Sequence, residues 1–228
     1  MPFGDLPARL AEVRGRIEAA VARGGHGQTV TIVAVTKSHG PEAPRAAWGA
    51  GLRDVGENRV QEALDKMDAV DVPLRWHLIG HLQRNKVKAL DRFVLLHSLD
   101  SVRLADAVQA FAAKRGRVAD VLVQVNVAGE ETKGGFAPAE VATAAERLRA
   151  LSAVCVRGVM VMAPYTSDEG ALRAVFAGAR RAREALCAAG HPAARELSMG
   201  MSNDYEVAVE EGATYVRLGT TLFGARTP

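Results

Sequence analysis

The spacing of apolar positions changes along the chain, and each change predicts an element. Over residues 6–23, Leu6, Leu10, Val13, Ile17 and Val21 recur every three or four residues, which predicts a helix with one buried face. Val30-Thr31-Ile32-Val33-Ala34-Val35-Thr36-Lys37 differs, being apolar or β-branched on both faces until it stops at a lysine. Such a run suits a strand buried inside a parallel sheet. Ile32, Ala34 and Thr36 share one face, and Val33, Val35 and Lys37 the other. Helical and extended patterns then alternate: helix 41–50, strand 52–55, helix 59–67, strand 76–79, short helix 85–90, strand 93–97, helix 102–114 and strand 118–127. The second half continues with helix 138–151, strand 156–162, helix 171–189, strand 196–199, helix 204–211 and strand 215–218.

Eight strands result, seven of them followed by a helical segment before the next. Glycines at 51, 116, 190 and 212 stand just past helices, where a left-handed cap is wanted. Eight such units predict an α/β fold, a (β/α)8 TIM barrel, which typically takes ~250 residues. The rival is an open doubly wound sheet. The extra N-terminal helix is placed to cover the barrel near its closing strand. With no long linker, repeat or low-complexity stretch, residues 1–228 read as a single domain.

A hydrophobic fraction of 48% is ample for such a core. Twenty-nine basic and twenty-six acidic residues leave a net charge of +3, scattered and without a basic block interleaved with aromatics. That argues against nucleic acid and against a polybasic membrane anchor, while a phosphorylated small molecule suits the field. Met1-Pro2-Phe3-Gly4-Asp5 does not begin a leader, and no apolar run is long enough to span a bilayer, so a cytoplasmic protein is expected. Cys155 and Cys187 are expected as two buried, reduced thiols. The cluster Gly24, Gly25, Gly27 precedes a strand and lacks a following Gly-Lys-Ser/Thr, so it reads as a connector.

In a barrel the chemistry sits just past the strands, on one face. Those positions hold Lys37, Gly56-Glu57-Asn58, Gly80-His81, His97-Ser98, Asn126, Ala163-Pro164-Tyr165, Met199-Gly200-Met201-Ser202 and Gly219-Thr220-Thr221. The last two follow strands seven and eight, the usual phosphate position of a barrel, where backbone amides and short hydroxyls meet an anion. Ser202 is also placed to cap the helix that follows it. A lysine facing a phosphate site suggests a carbonyl compound held as a Schiff base. The amine must be neutral to attack, which from a pKa of ~10.4 costs about 4 to 5 kcal/mol at neutral pH, and burial or a neighbouring cation lowers that cost. Arg217 is such a cation, within the last strand; its ordinary role there would be an inward ion pair at the mouth. His77 and His81 are four apart, but Gly80 intervenes in a strand, which argues against zinc. Met160, Met162, Met199 and Met201 read as packing that flanks the mouth.

Five stretches carry a family resemblance: Ala34-Val35-Thr36-Lys37, Gly56-Glu57-Asn58-Arg59-Val60-Gln61-Glu62, His77-Leu78-Ile79-Gly80-His81-Leu82-Gln83-Arg84-Asn85-Lys86, Ser198-Met199-Gly200-Met201-Ser202-Asn203-Asp204 and Val216-Arg217-Leu218-Gly219-Thr220-Thr221-Leu222-Phe223-Gly224. Together, in this order, they resemble the pyridoxal phosphate homeostasis proteins (the YggS or PROSC family), similar in fold to the barrel domain of alanine racemase. The resemblance implies that Lys37 forms a Schiff base with pyridoxal 5′-phosphate, that Ser202, Gly219 and Thr220 hold the phosphate, that Arg217 contacts the pyridine nitrogen, and that Asn58 and His81 line the ring pocket. It makes Lys133, in the loop 126–135, a candidate second amine; Thr132 and Gly134 stand where the family commonly has serine.

The resemblance also poses a choice between carrier and catalyst. Alanine racemase needs a tyrosine base from a second, all-β domain, and this chain stops soon after its eighth strand, with Tyr165 the nearest substitute and a surface residue by expectation. A pyridine nitrogen facing Arg217 stays unprotonated and sinks electrons poorly. The expected role is a monomeric cofactor-holding protein that releases pyridoxal phosphate to apo-enzymes; the alternative is an amino-acid racemase or related enzyme.

Overall fold

Parallel neighbours cannot be joined by tight turns, and the apolar-faced helices between these strands supply the crossovers. A computed structural model describes residues 3–130 and 133–224. In it β1 (Thr31–Val35), β2 (Asp54–Glu57), β3 (Arg75–Leu78), β4 (Leu95–Leu99), β5 (Ala119–Gln124), β6 (Val154–Met160), β7 (Glu196–Ser198) and β8 (Tyr215–Leu218) pair in sequence order. β8 then pairs in parallel with β1, Thr31 opposite Tyr215 and Ala34 opposite Leu218, which closes the sheet. The fold is the (β/α)8 barrel, and the open sheet is excluded.

Outside the strands lie α1 (Leu6–Gly24), α2 (Glu42–Gly49), α3 (Val60–Ala69), α4 (Val102–Lys114), α5 (Val141–Arg149), α6 (Glu169–Ala188), α7 (Tyr205–Glu210) and α8 (Thr220–Phe223). A 3-10 turn, Arg84–Arg92, takes the place of a helix between β3 and β4. α1 packs on α7 and α8 with Leu6, Leu10, Val13 and Ile17 buried, so it covers the seam beside β8 as expected. The glycines at 51, 116, 190 and 212 all take positive φ. Among the described residues, no helix is long and apolar enough to cross a membrane.

Alternation along each strand divides the core in two. Ile32, Ala34, Val216 and Leu218 join the large layer between sheet and helices, whereas Leu95, Leu122 and Met160, with Met162 and Tyr215 against them, form a small cluster inside the barrel. The rest of that interior is largely polar, and this moved some boundaries. β2 and β4 each lie two residues beyond the expected 52–55 and 93–97, because the polar Glu57 and Ser98 continue the strands, buried and hydrogen-bonded. The thiol expectation needs correcting as well. Cys155 is only half-buried, and Cys187 is exposed, on the last turn of α6.

Leu10, 2% exposed beneath α7 and α8, tests how far α1 holds the closure together. Leu10→Ala is expected to remove about 2–5 kcal/mol of unfolding free energy. Urea denaturation followed by tryptophan fluorescence measures it.

Candidate functional site

Because all strands point the same way, the loops after them share one face. The cavity there, about 610 Å³, is bordered by Lys37 after β1, Asn58 after β2, His81 after β3, Ser202 after β7, and Arg217, Gly219 and Thr220 from β8 and its loop. All seven residues singled out from the sequence therefore meet at one opening. Lys133 borders it too, donating to Glu130 Oε1 at 2.6 Å and to the Ala163 carbonyl at 3.2 Å. Asn126 fixes that loop by donating to the carbonyls of Glu130 and Lys133. Thr132, within it, lies outside the described residues. Met162 and Met201 line the opening, while Met160 and Met199 are buried.

Lys37 is held from behind. Thr36 faces outward and donates its hydroxyl to Glu57 Oε1 at 2.5 Å; Lys66 Nζ, from α3, donates to the same oxygen at 2.7 Å and to the Thr36 carbonyl at 2.7 Å. Lys66 also reaches Glu62 Oε1 at 2.8 Å, and that oxygen accepts the Ser38 N–H at 2.6 Å. Ser38 has φ +64°, a left-handed conformation uncommon for a residue with a Cβ. The chain on both sides of Lys37 is thus pinned by one ion cluster. Burial pushes the Glu57 carboxyl above its ordinary range, opposed by the hydrogen bonds from Lys66 and Thr36. Burial acts the same way on Glu62, but hydrogen bonds from Lys66 and Ser38 hold it below that range.

Two sequence expectations fail at the other side of the mouth. Among the described residues Arg217 makes no ion pair: Nη1 donates to Ser198 Oγ at 2.7 Å and Nη2 to the Val161 carbonyl at 2.9 Å. Its nearest acid by charge, Asp204, is instead turned to the Met201 N–H at 2.5 Å. Burial brings the guanidinium down to about 10, with Asp204 opposing. Ser202 does not cap α7, which starts at Tyr205. Its Oγ accepts the Thr221 N–H at 3.3 Å and so ties the two small-residue loops to each other.

Across the opening, a Cβ on Gly80 would lie 2.2 Å from the Asn58 carbonyl oxygen, so the loops after β2 and β3 can touch only through glycine. His81 Nδ1 lies 2.7 Å from Asp100 Oδ2, its ring largely exposed. His77 is not beside it but inside the barrel, between Asp54 and His97. Sequence reasoning missed Asp100 and Gln124, which border the cavity, and Glu57, Glu62 and Lys66 behind it. The two glutamates lay within a quoted stretch and the expected helix 59–67 set Glu62 and Lys66 four apart on one face, a signal that could have found the pair, but nothing in the sequence turned that face toward Thr36 and Glu57.

A lysine, a pair of small-residue loops and an inward arginine at a barrel mouth agree with what comparison with known proteins finds. The sequence pattern of the family described as Alanine racemase, N-terminal domain, matches residues 9–227. The pyridoxal phosphate homeostasis protein of Aquifex aeolicus is 46% identical over 221 residues, covering 96% of this chain and 97% of that protein. The chain belongs to the pyridoxal phosphate homeostasis protein family. The homeostasis protein of Pseudomonas aeruginosa is 42% identical, covering 98% of this chain and 97% of that one. Among solved structures, PipY of Synechococcus elongatus with pyridoxal phosphate bound is 38% identical, with a TM-score of 0.84, covering 96% of this chain and all of that one.

In this member of the homeostasis family the Glu57–Lys66 contact carries a pH signature. Lys66→Met strands a buried carboxylate and is expected to cost about 3–5 kcal/mol at pH 7. A carboxyl whose folded pKa is raised stabilises the fold in its protonated form, fully below its unfolded pKa and progressively less as pH climbs through the folded value. Removing Lys66 raises that folded value further, so the stability gap to wild type narrows as pH falls from 7 to 5. Urea melts at both pH values measure it, and an unchanged gap contradicts the assignment.

Proposed function

We propose that the protein binds pyridoxal 5′-phosphate as a Schiff base on Lys37 and serves intracellular vitamin B6 homeostasis, keeping the reactive aldehyde from stray amines and releasing it to apo-enzymes. The observation that carries this reading is the convergence of Lys37, Arg217 and the joined Ser202 and Gly219-Thr220 loops on one cavity. It is supported by the pyridoxal phosphate bound in PipY. The Lys37 amine condenses with the aldehyde and releases water, so binding is covalent and reversible. The Ser202 hydroxyl and the backbone and hydroxyl of Gly219 and Thr220 take the phosphate, and Asn58 and His81 line the ring. Arg217, charged at neutral pH because its value stays near 10, presents only donors to the pyridine nitrogen and keeps it unprotonated.

The carrier is favoured over the racemase because no tyrosine is placed as a base. Tyr165 is 90% exposed and off the cavity, Tyr205 is buried at the first position of α7, and Tyr215 lies inside the barrel. The whole chain, 1–228, acts as one barrel domain, monomeric and cytoplasmic; light scattering at the mass of one chain tests the monomer.

The protein mixed with pyridoxal phosphate is expected to turn yellow, and borohydride reduction with peptide mapping to label Lys37. Lys37→Ala should lose the label; an undiminished chromophore linked elsewhere overturns the reading, and robust racemisation or decarboxylation of any amino acid by wild type overturns the carrier role. Ser202→Ala is expected to weaken pyridoxal phosphate about fivefold while leaving phosphate-free pyridoxal unchanged, as titration of the imine absorbance reports.

A further inference from the structure

Polar side chains inside a barrel are costly unless paired, and here five strands pair theirs in a single file. Arg217 Nη1 on β8 donates to Ser198 Oγ on β7 at 2.7 Å, and that oxygen lies 2.8 Å from His97 Nδ1 on β4. His97 Nε2 lies 2.9 Å from His77 Nδ1 on β3, and His77 Nε2 lies 2.9 Å from Asp54 Oδ1 on β2. All five are buried: His97 and Ser198 at 0% exposure, His77 at 2%, Asp54 and Arg217 at 5%. The Asp54 end borders a cavity of about 680 Å³ at the opposite face of the barrel, where Arg75 grips it at 2.5 Å.

The file has a direction. An arginine can only donate, so Ser198 accepts from it and gives its own proton to His97 Nδ1. His97 must then carry its proton on Nε2, toward His77 Nδ1, and His77 must carry its own on Nε2, toward the carboxylate. Burial, the largest cause, holds the His97 ring well below its ordinary range and so neutral. Asp54, which burial alone would raise, is held below the ordinary carboxylate range by hydrogen bonds from His77 and Arg75. A fixed anion at the floor thereby dictates two tautomers and one hydroxyl orientation beneath Arg217.

We propose that Ser198, His97, His77 and Asp54 are positioning residues forming a directional relay that aims the Arg217 guanidinium and couples it to the barrel floor. What Arg217 touches rests on the cofactor reading above; the relay belongs to the chain alone. A second proton on His77 reverses it. Both ring nitrogens then donate, His97 accepts through Nε2 and carries its proton on Nδ1, and Ser198 receives donors from both sides with no acceptor for its own hydrogen. The groups that face His77 are Asp54, Arg75, His97 and Tyr215. The floor cavity adds Asp120, Arg157, Arg195 and Glu196 around them.

Nitrogen-15 imidazole spectra of the cofactor-free wild type at pH 7.5 are expected to show His77 and His97 both as neutral Nε2–H tautomers; a His97 proton on Nδ1 at that pH overturns the relay. A glutamine at position 77 can still accept from His97 and donate to Asp54, whereas a leucine cannot. With pyridoxal phosphate, His77→Leu and the small, fold-sparing Ser198→Ala are each expected to weaken retention about fivefold and to shift the pH profile of the visible absorbance, and His77→Gln to stay within about twofold of wild type. Wild-type behaviour in both disrupting variants, or His77→Gln as impaired as His77→Leu, overturns the proposal. If wild type itself takes up no pyridoxal phosphate, the cofactor reading falls, and the tautomer spectra alone decide the relay.

Discussion

The parallel pairing of β8 with β1 brings the last functional stretch of the chain beside the first. Val33 stands opposite Arg217 and Ala34 opposite Leu218, so Lys37, two residues past β1, emerges at the level of the Gly219 loop. A slip of one residue would turn Arg217 outward into the apolar layer that holds Val216 and Leu218, where a guanidinium has no partner. α1 lies over this same seam and adds Leu6, Leu10, Val13 and Ile17 to its cover. The closure is therefore both the condition for the fold and the condition for the site.

β2 serves two networks from its two faces. Asp54 points into the barrel to His77 and begins the interior file; Glu57, three residues on, points out to Lys66 and Thr36 and braces the turn at Lys37. Opposite faces keep two buried carboxylates apart, and each has its own cation, Arg75 for one and Lys66 for the other. Burying these groups stabilises little by itself, since desolvation offsets most of the attraction. What they confer is definition: the oxygen and nitrogen atoms around Lys37 and under Arg217 have one satisfied arrangement.

The barrel was legible because helix and strand periods alternate cleanly, and 102–114 and 215–218 were placed to the residue. Boundaries slipped at the ends of β2 and β4, where Glu57 and Ser98 are polar by identity and buried by partnership. Hydropathy along a chain sees the first property and cannot see the second. The mouth residues were legible for a different reason, since strand ends in a barrel must share a face wherever their helices lie. Their partners were not, because whether Arg217 meets a carboxylate or a serine depends on where Asp204 turns, and Asp204 turns to the backbone N–H of Met201, three residues back in its own loop. Ser202 shows the same limit: its identity suggested a cap, and only the closed barrel puts Thr221 within its reach.

An arginine without an adjoining carboxylate has consequences for what the mouth can do. Its guanidinium is held by Ser198 and the Val161 carbonyl, and the acids closest to the opening are engaged elsewhere, Asp204 with the Met201 N–H and Asp100 with His81, so no carboxyl is paired with Arg217 to pass a proton to a bound heterocycle. A pyridine nitrogen left unprotonated withdraws electrons weakly, which slows carbanion chemistry at any amine condensed with the aldehyde. On the proposed reading, reversible condensation at Lys37 would need no such withdrawal. If Arg217 faces the ring as proposed, the interior file behind it would favour holding over turning over, through Ser198, His97, His77 and Asp54, which do not line the cavity in which the cofactor would sit.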